Sequence, residues 1–196
     1  MNYRAHTKSV LLVGIANTFT YARNILLLPI LTQSLGVSLY GLWSQLYAMV
    51  ELLIPLFLLS LTTATTRFLA AKTDPNIIRT GFWTSTLTAI ISSAILGSLI
   101  ILLSIPIKKF FGTEMNQITD MLWVIILLVI ISVVSHSCVN YFRTFKRTTV
   151  FCSIRLVESF GFLIITFALT SVGWKLFSPI IALVIVNLMV CIWGIP

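Results

Sequence analysis

Long apolar stretches separated by short polar segments make up almost the whole chain. Each stretch is close to the length of about 20 residues that a helix needs to cross the hydrocarbon core of a bilayer. The pattern predicts six spans, at residues 10–31, 39–61, 81–105, 121–141, 152–172 and 176–196. We therefore predict an all-α fold, a polytopic membrane bundle of six transmembrane helices in a single domain covering residues 1–196.

The segments between the predicted spans contain residues that commonly end helices. Polar connections are predicted at residues 32–38, 62–80, 107–120, 142–151 and 173–175. Gly36 and Gly173 mark the two short turns among them, because glycine adopts backbone conformations that other residues avoid. Pro106 is expected to stop the third span, since proline cannot donate the backbone hydrogen bond of a helix.

The composition excludes a water-soluble protein. Hydrophobic residues make up 58% of the chain and charged residues 9%, and the mean hydropathy is +1.05. A soluble domain has about a quarter charged residues, so 13 Lys and Arg with 5 Asp and Glu cannot cover a water-facing surface. A soluble enzyme, a disordered chain and a secreted disulfide-rich scaffold are all excluded.

The basic residues are distributed unequally between the two ends of the spans. One side collects most of them: Arg4, Lys8, Arg67, Lys72, Arg79, Arg143, Lys146, Arg147 and Arg155. The other side has Lys108, Lys109 and Lys175. Because cytoplasmic loops are enriched in Lys and Arg, we expect a multi-pass cell-membrane protein with both termini in the cytoplasm. The net charge of +8 then reflects this bias, and no nucleic-acid partner is expected.

Polar residues recur at helical spacing within each of the first five spans. They are Asn17, Thr20, Tyr21 and Asn24, with Arg23 at the edge; Ser44, Tyr47, Glu51 and Pro55; Thr84, Thr88 and Ser92; Ser132, Ser135, His136 and Arg143; and Arg155, Glu158, Ser159 and Thr166. Lipid cannot satisfy these groups. Any one stripe is explained by hydrogen bonding between helices, but five stripes together favour a polar cavity such as a transporter needs.

Arg23 and Glu51 carry the most informative charges. Arg23 lies about 20 Å into the first span and Glu51 about 18 Å into the second from its other end, at about 1.5 Å per residue. The two depths allow an ion pair that fixes the first two helices together. Alternatively, Arg23 receives an anionic head group in the cavity, and Glu51 is its resting partner or a proton-binding site.

The remaining candidate residues have two interpretations each. His136 could carry protons, since histidine titrates near neutral pH, or could be a hydrogen-bonded structural residue. Arg155 and Glu158 could line the cytoplasmic entrance of the cavity or pair with each other at the i, i+3 spacing. The sequence has no catalytic or metal-ligand motif, so neither an enzyme nor a cofactor is expected.

Two motifs carry a resemblance to a known family. Residues 25–36 have the sequence ILLLPILTQSLG and precede Tyr40-Gly41-Leu42-Trp43, while residues 66–70 have the sequence TRFLA. These segments resemble the corresponding stretches of polysaccharide biosynthesis proteins, the Wzx-type oligosaccharide flippases of the multidrug/oligosaccharidyl-lipid/polysaccharide exporter superfamily. Phe110-Phe111-Gly112 and Tyr141-Phe142-Arg143 are similar to weaker family features.

The resemblance implies a transporter that works by alternating access. Members move polyprenyl-linked oligosaccharides across the cytoplasmic membrane, and their two six-helix lobes enclose a cavity that often contains cationic residues, to which Arg23 would correspond. Six spans correspond to the N-terminal lobe alone, so a second lobe or chain is an expected partner beside the lipid bilayer and the lipid-linked substrate.

Two other functions remain open. The first is a drug or cation antiporter of the same superfamily that uses Glu51 for proton or sodium coupling. The second is a non-transporting membrane scaffold, or an inactive remnant, in which the polar stripes only join helices. Substrate charge separates the first from a flippase, and water access to the stripes separates the second from both.

Overall fold

The described part of the chain is built from helices. The computed structural model describes residues 3–111 and 121–194, with side chains at residue 7, residues 10–104 and residues 121–194. The helices in this part are α1 (Tyr3–Leu58), α2 (Leu61–Leu69), α3 (Pro75–Phe111), α4 (Leu122–Thr144), α5 (Thr148–Ser171) and α6 (Phe177–Gly194). The predicted all-α polytopic fold is confirmed.

Five helices in the described ranges are long and apolar enough to cross a membrane, namely α1 and α3 to α6. The apolar part of α1, Val10–Leu58, has 49 residues. As one straight helix it would be about 74 Å long, whereas the hydrocarbon core of a bilayer is about 30 Å thick. A single crossing cannot accommodate it, so a break within α1 is required for this segment to fit a bilayer.

Gly36 provides that break. Its backbone angles, φ 78° and ψ 165°, are not helical, and they lie in a region that is essentially restricted to glycine. The predicted turn at residues 32–38 is therefore corrected to a single residue, because helix continues on both sides of Gly36. The two arms of α1, residues 3–35 and residues 37–58, are each long enough to cross a bilayer.

The predicted connection at residues 62–80 contains helix that the sequence pattern did not indicate. Leu59 and Ser60 have positive φ values of 45° and 59° and end α1, after which α2 begins at once. At the start of α3, the Asp74 carboxylate accepts a hydrogen bond of 2.9 Å from the backbone N–H of Asn76. Pro75 occupies the first helical position, where its missing N–H costs nothing.

The expectation that Pro106 stops the third span is wrong. The backbone of α3 continues through this residue to Phe111. Helices in membranes tolerate proline because neighbouring groups can satisfy the backbone atoms that it releases. Residues 112–120 of the predicted link lie outside the described residues.

The two later turns follow a common way of ending a helix, with a residue of positive φ just after the last turn. Gly173 has φ 91°, and the next N–H, of Trp174, donates to the Leu169 carbonyl at 3.2 Å. Lys146 has φ 56°, and the N–H of Arg147 donates to the Phe142 carbonyl at 3.0 Å. Short connections therefore join α4 to α5 and α5 to α6.

The chain divides into two compact units. The first consists of Met1–Trp43 and Cys138–Ile195, and the second of Ser44–Ser137. In the second unit, a Cβ atom on Gly97 of α3 would lie 2.7 Å from Ile126 Cγ2 of α4, so only glycine allows this approach. The second arm of α1 also contacts α3 in this unit. The Ser92 hydroxyl of α3 donates a hydrogen bond to the Phe57 carbonyl of α1 at 2.7 Å.

The first unit has a packed core at the junction of α4, α5 and α6. Val139, Phe142, Ile154 and Val190 are buried together there. Gly194 at the end of α6 allows a close approach to α4, because a Cβ atom on it would lie 2.8 Å from the Cβ atom of Cys138. These contacts fix the position of α5, whose other face carries the candidate site.

Candidate functional site

The first arm of α1 contacts α5 through two of the predicted polar stripes. The Thr20 and Ser159 hydroxyl oxygens are 3.3 Å apart and share a hydrogen bond. One turn further along both helices, the Arg23 guanidinium lies over the ring of Phe162, 5.0 Å from its centroid. The contacts advance in the same direction on both helices, so the first arm of α1 and α5 run parallel.

Phe162 also contacts the second arm of α1. Its ring stacks with that of Trp43, with centroids 6.4 Å apart and an interplanar angle of 29°. In a straight helix, Arg23 and Trp43 would be about 30 Å apart along the axis, too far for both to reach one ring. The bend at Gly36 therefore brings both arms to Phe162, of which only 4% is exposed.

Two neutral groups hold the Arg23 guanidinium in place. Its Nε and Nη2 atoms donate to the Asn24 side-chain oxygen at 3.3 and 3.2 Å. The Phe162 ring offers the negative face of its π system to the same cation. Arg23 is partly buried. These contacts orient the guanidinium, and its positive charge is suited to an anionic ligand.

Arg155 and Glu158 lie on the same face of α5, nearer its start. Arg155 Nη1 and Glu158 Oε2 are 3.0 Å apart, and the side chains are 25% and 20% exposed. The guanidinium of Arg155 also lies 5.9 Å from the centroid of the Phe151 ring. The structure therefore supports the interpretation in which these two residues pair with each other, and their charges cancel locally.

The polar stripe of the first arm is largely uncovered. Asn17, Tyr21 and Asn24 are exposed, and 71% of the Tyr21 side chain is accessible. A lipid chain cannot satisfy amide and phenol groups. In a membrane this face therefore requires water, a polar ligand or another protein segment against it.

Three predicted site residues belong to the second unit. Glu51 is exposed, whereas Tyr47 and His136 are partly buried. The ion pair between Arg23 and Glu51 joins residues of different units and stays a prediction, as do the proton-binding roles of Glu51 and His136.

The other polar stripes differ in exposure. On α3, Thr84 and Thr88 are exposed, and each hydroxyl donates to the carbonyl four residues earlier, at 2.7 and 2.8 Å. Ser92, Ser132 and Ser135 are buried. The buried serines therefore belong to the packing of the helices, whereas the α1 and α3 stripes and Arg143 of the α4 stripe present exposed polar atoms.

Two aromatic members of the site, Phe162 and Trp43, were not predicted, because aromatic residues in apolar stretches usually serve as apolar bulk. Phe162 lies at i+3 and i+4 from Ser159 and Glu158, so its position on the polar face of α5 was visible. Trp43 closes the motif that follows the first span. Among the described residues, no group of three or more His, Cys, Asp or Glu side chains could hold a metal ion.

The chain was compared with known families, curated proteins and solved structures. The model of the family described as "Polysaccharide biosynthesis protein" matches residues 6–195. No curated protein and no solved structure matches the chain.

Proposed function

The chain belongs to the polysaccharide biosynthesis protein family, and on that premise we propose that it moves polyprenyl-linked oligosaccharide across the cell membrane. The product would be used for cell-surface polysaccharide. The observation that carries this proposal is the uncovered polar face of the first arm of α1, with the oriented guanidinium of Arg23 at its edge. A cytoplasmic position of both termini is part of the proposal.

The chemistry of such a substrate suits this face. The diphosphate of a polyprenyl-linked sugar is anionic, and Arg23 presents a charge whose orientation is already fixed by Asn24 and Phe162. Asn17 and Tyr21 would hydrogen-bond sugar hydroxyl groups along the same face. The polyprenyl chain would remain in the lipid, where it needs no polar partner.

A second lobe would cover the same face. Asn17, Tyr21 and Asn24 are exposed side chains on an apolar helix, and such residues normally face a helical bundle or a water-filled cavity. We propose that another six-helix lobe encloses this face to form the transport pathway. That lobe could be part of a longer chain or a separate protein.

Transport by membrane vesicles that contain the full chain tests the role of Arg23. A hydrogen bond to a charged group contributes about 1.5–3 kcal/mol, so Arg23→Gln should lower the transport rate of a labelled polyprenyl-diphosphate oligosaccharide at least about tenfold. Arg23→Lys keeps the charge and should retain part of the rate. Arg79→Gln removes an exposed positive charge at the start of α3 and is the control, with an unchanged rate.

The same vesicles separate the other candidate functions. Equal transport by the parent chain, Arg23→Gln and Arg23→Lys would contradict the proposal. Efflux of an organic cation that is lost in Glu51→Gln and intact in Arg23→Gln would instead indicate an antiporter. Transport of neither substrate by vesicles that also contain the second lobe, with full expression of both in the membrane, would favour a scaffold.

A further inference from the structure

The short helix α2 has an apolar face that the described protein does not cover. Leu61, Ala64 and Phe68 lie on one side of the helix, while Thr63 and Arg67 lie on the other. None of its residues is buried, and 71% of the Phe68 side chain is exposed. A short helix with such separated faces is suited to lie at the surface of a bilayer, with its apolar side turned toward the acyl chains.

The backbone fixes α2 against the start of α3. The N–H of Lys72 donates to the Leu69 carbonyl at 3.0 Å, so the link turns directly after α2. A Cβ atom on Gly81 would lie 2.7 Å from Leu69 Cδ1, so glycine allows the close approach of the two helices here. Because α1 ends before α2 and the apolar α3 follows it, this corner lies where the chain leaves and re-enters the membrane.

An open groove of about 640 Å³ lies between α2 and α3. This volume is within the range of about 300–1,000 Å³ that is typical of small-molecule sites. The α2 side of the groove is mainly apolar and includes Leu61, Ala64 and Phe68. The opposite side combines apolar surface, including Ile77, with a few polar groups, which come from Lys72 of the link and from Asn76, Thr80, Thr84 and Thr88 of α3. A mainly apolar groove with a few polar groups and a lysine at its edge suits an amphiphile, whose acyl chain needs apolar surface and whose head group needs polar partners.

The polar groups of the groove offer both donors and acceptors. The Thr84 and Thr88 hydroxyl protons are used in bonds to the carbonyls of Thr80 and Thr84, which leaves their oxygens to accept hydrogen bonds. Lys72 and Asn76 supply donors at the end of the groove nearest α2. This combination suits a phosphate next to hydroxyl groups, as in the head group of phosphatidylglycerol.

The charge of this corner selects an anionic ligand. Lys72 lines the groove and is exposed, and Arg67 is exposed on the adjoining helix α2. The nearby carboxylate of Asp74 accepts the Asn76 N–H and so caps α3. Basic residues near a membrane surface attract anionic lipids by about 1 kcal/mol each.

We propose that the groove between α2 and α3 binds one anionic phospholipid. The phosphate contacts Lys72, the head-group hydroxyls form hydrogen bonds with Asn76 and Thr80 near the start of α3, and one acyl chain lies along Leu61, Ala64 and Phe68. The site is separate from the face around Arg23 and does not depend on the transport proposal.

Lipid binding by the full chain in nanodiscs tests this site. The probe is a photoactivatable phosphatidylglycerol, and cross-linked peptides are identified by mass spectrometry. Cross-links should fall on residues 61–88 and should exceed those of the matched phosphatidylcholine probe. Lys72→Gln should lower cross-linking in this segment at least about fivefold, the factor that corresponds to about 1 kcal/mol. Arg79→Gln removes a nearby charge that does not line the groove, and it should change cross-linking less than about twofold if the groove has one charge-specific site.

Several outcomes would overturn the proposal. Equal cross-linking by the two lipids, or equal losses in Lys72→Gln and Arg79→Gln, would indicate only general attraction to the membrane surface. Displacement of the probe by excess inorganic phosphate would indicate an anion site without a lipid. Cross-links between α2 of two chains would indicate that a second copy occupies the groove. Phe68→Ser gives an independent variant, which should lower cross-linking while the helical content stays unchanged.

Discussion

Two regions of this protein contain an arginine and a phenylalanine, with opposite exposure and with a contact between the side chains in the first region. In the α1–α5 contact, Arg23 is partly buried over Phe162, and only 4% of that phenylalanine is exposed. In α2, Arg67 is exposed beside Phe68, which is 71% exposed. The first pair comes from two distant helices, whereas the second consists of neighbours in the sequence.

The difference shows how burial determines what a basic residue can do. A charge inside an apolar segment is costly unless its surroundings compensate it, and Arg23 is compensated by an amide and a ring that also fix its direction. It is therefore suited to a ligand whose charge must arrive at one defined point. Arg67 is exposed and has no such desolvation cost. Together with Lys72 it can bind lipid head groups without a fixed orientation.

The largest loss in the free energy of unfolding is expected from Phe162→Ala, which removes the ring that contacts Arg23. Replacing a packed phenylalanine by alanine costs about 3–5 kcal/mol, and Phe162 contacts both arms of α1. Phe160→Ala is the matched control on the same helix, since 48% of this residue is exposed and its main ring contact is Phe19 at 5.5 Å. Unfolding in mixed detergent micelles, followed by circular dichroism, measures both.

An equal loss of unfolding free energy in Phe160→Ala and Phe162→Ala would contradict the distinction between the exposed and the buried ring. In that case the burial of Phe162 would not distinguish it from the aromatic residues around it. A loss at residue 160 of less than half that at residue 162 would support the central position of Phe162.

An intermediate effect is expected at the bend that lets both arms reach Phe162. Gly36→Ala places a side chain in a conformation that costs about 1–3 kcal/mol for residues other than glycine. Gly14→Ala is the same substitution in the regular part of the first arm, with nothing within 4 Å of the added atom. It should stabilise the helix by about 0.5–1 kcal/mol. Effects of the same sign at both positions would contradict a special role of Gly36.

The smallest effect is expected from the hydroxyl pair next to Arg23. Interhelical hydrogen bonds in membranes couple by about 0.6 kcal/mol on average, so a double-mutant cycle of Thr20→Val and Ser159→Ala should give about that value. Thr18→Val with Ser159→Ala is the control cycle. Both threonine hydroxyls bond to their own helix, Thr18 at the Gly14 carbonyl and Thr20 at the Ala16 carbonyl, but the Thr20 oxygen also lies 3.3 Å from the Ser159 oxygen. Equal coupling in the two cycles would show that the α1–α5 contact does not depend on this bond.

Features set by local sequence were predicted well. Continuous apolarity predicted the spanning helices, since lipid leaves few other choices for the backbone. The i, i+3 spacing predicted the contact between Arg155 and Glu158, because a helix brings such residues together whatever surrounds it. The turn at Gly173 followed in the same way from its residue type.

Features that depend on contacts between distant residues, or on neighbouring groups that make up for a missing backbone donor, were not predicted. Nothing in the residues of α5 alone indicates that Phe162 meets Arg23 and Trp43, because that requires the bend at Gly36 and the packing of three segments. Helix α2 was not predicted because it has only nine residues, four of them threonine, which is too short a segment to show a clear helical pattern. Its position against Gly81 of α3 is a tertiary contact that the local sequence does not indicate. Pro106 was expected to end α3, but a membrane helix can tolerate the missing donor.

The single-residue break in α1 also limits how its two arms can move. Within α1, the φ and ψ angles of Gly36 are the ones that depart from helical values. A change in the angle between the two arms therefore has to come from these two torsions. Rotation about these torsions changes the direction of one arm relative to the other. A translation of one arm along its own axis would require helical residues next to Gly36 to unwind. Because Phe162 contacts Arg23 on the first arm and Trp43 on the second, a change of the backbone angles at Gly36 would have to break or rearrange at least one of these two contacts.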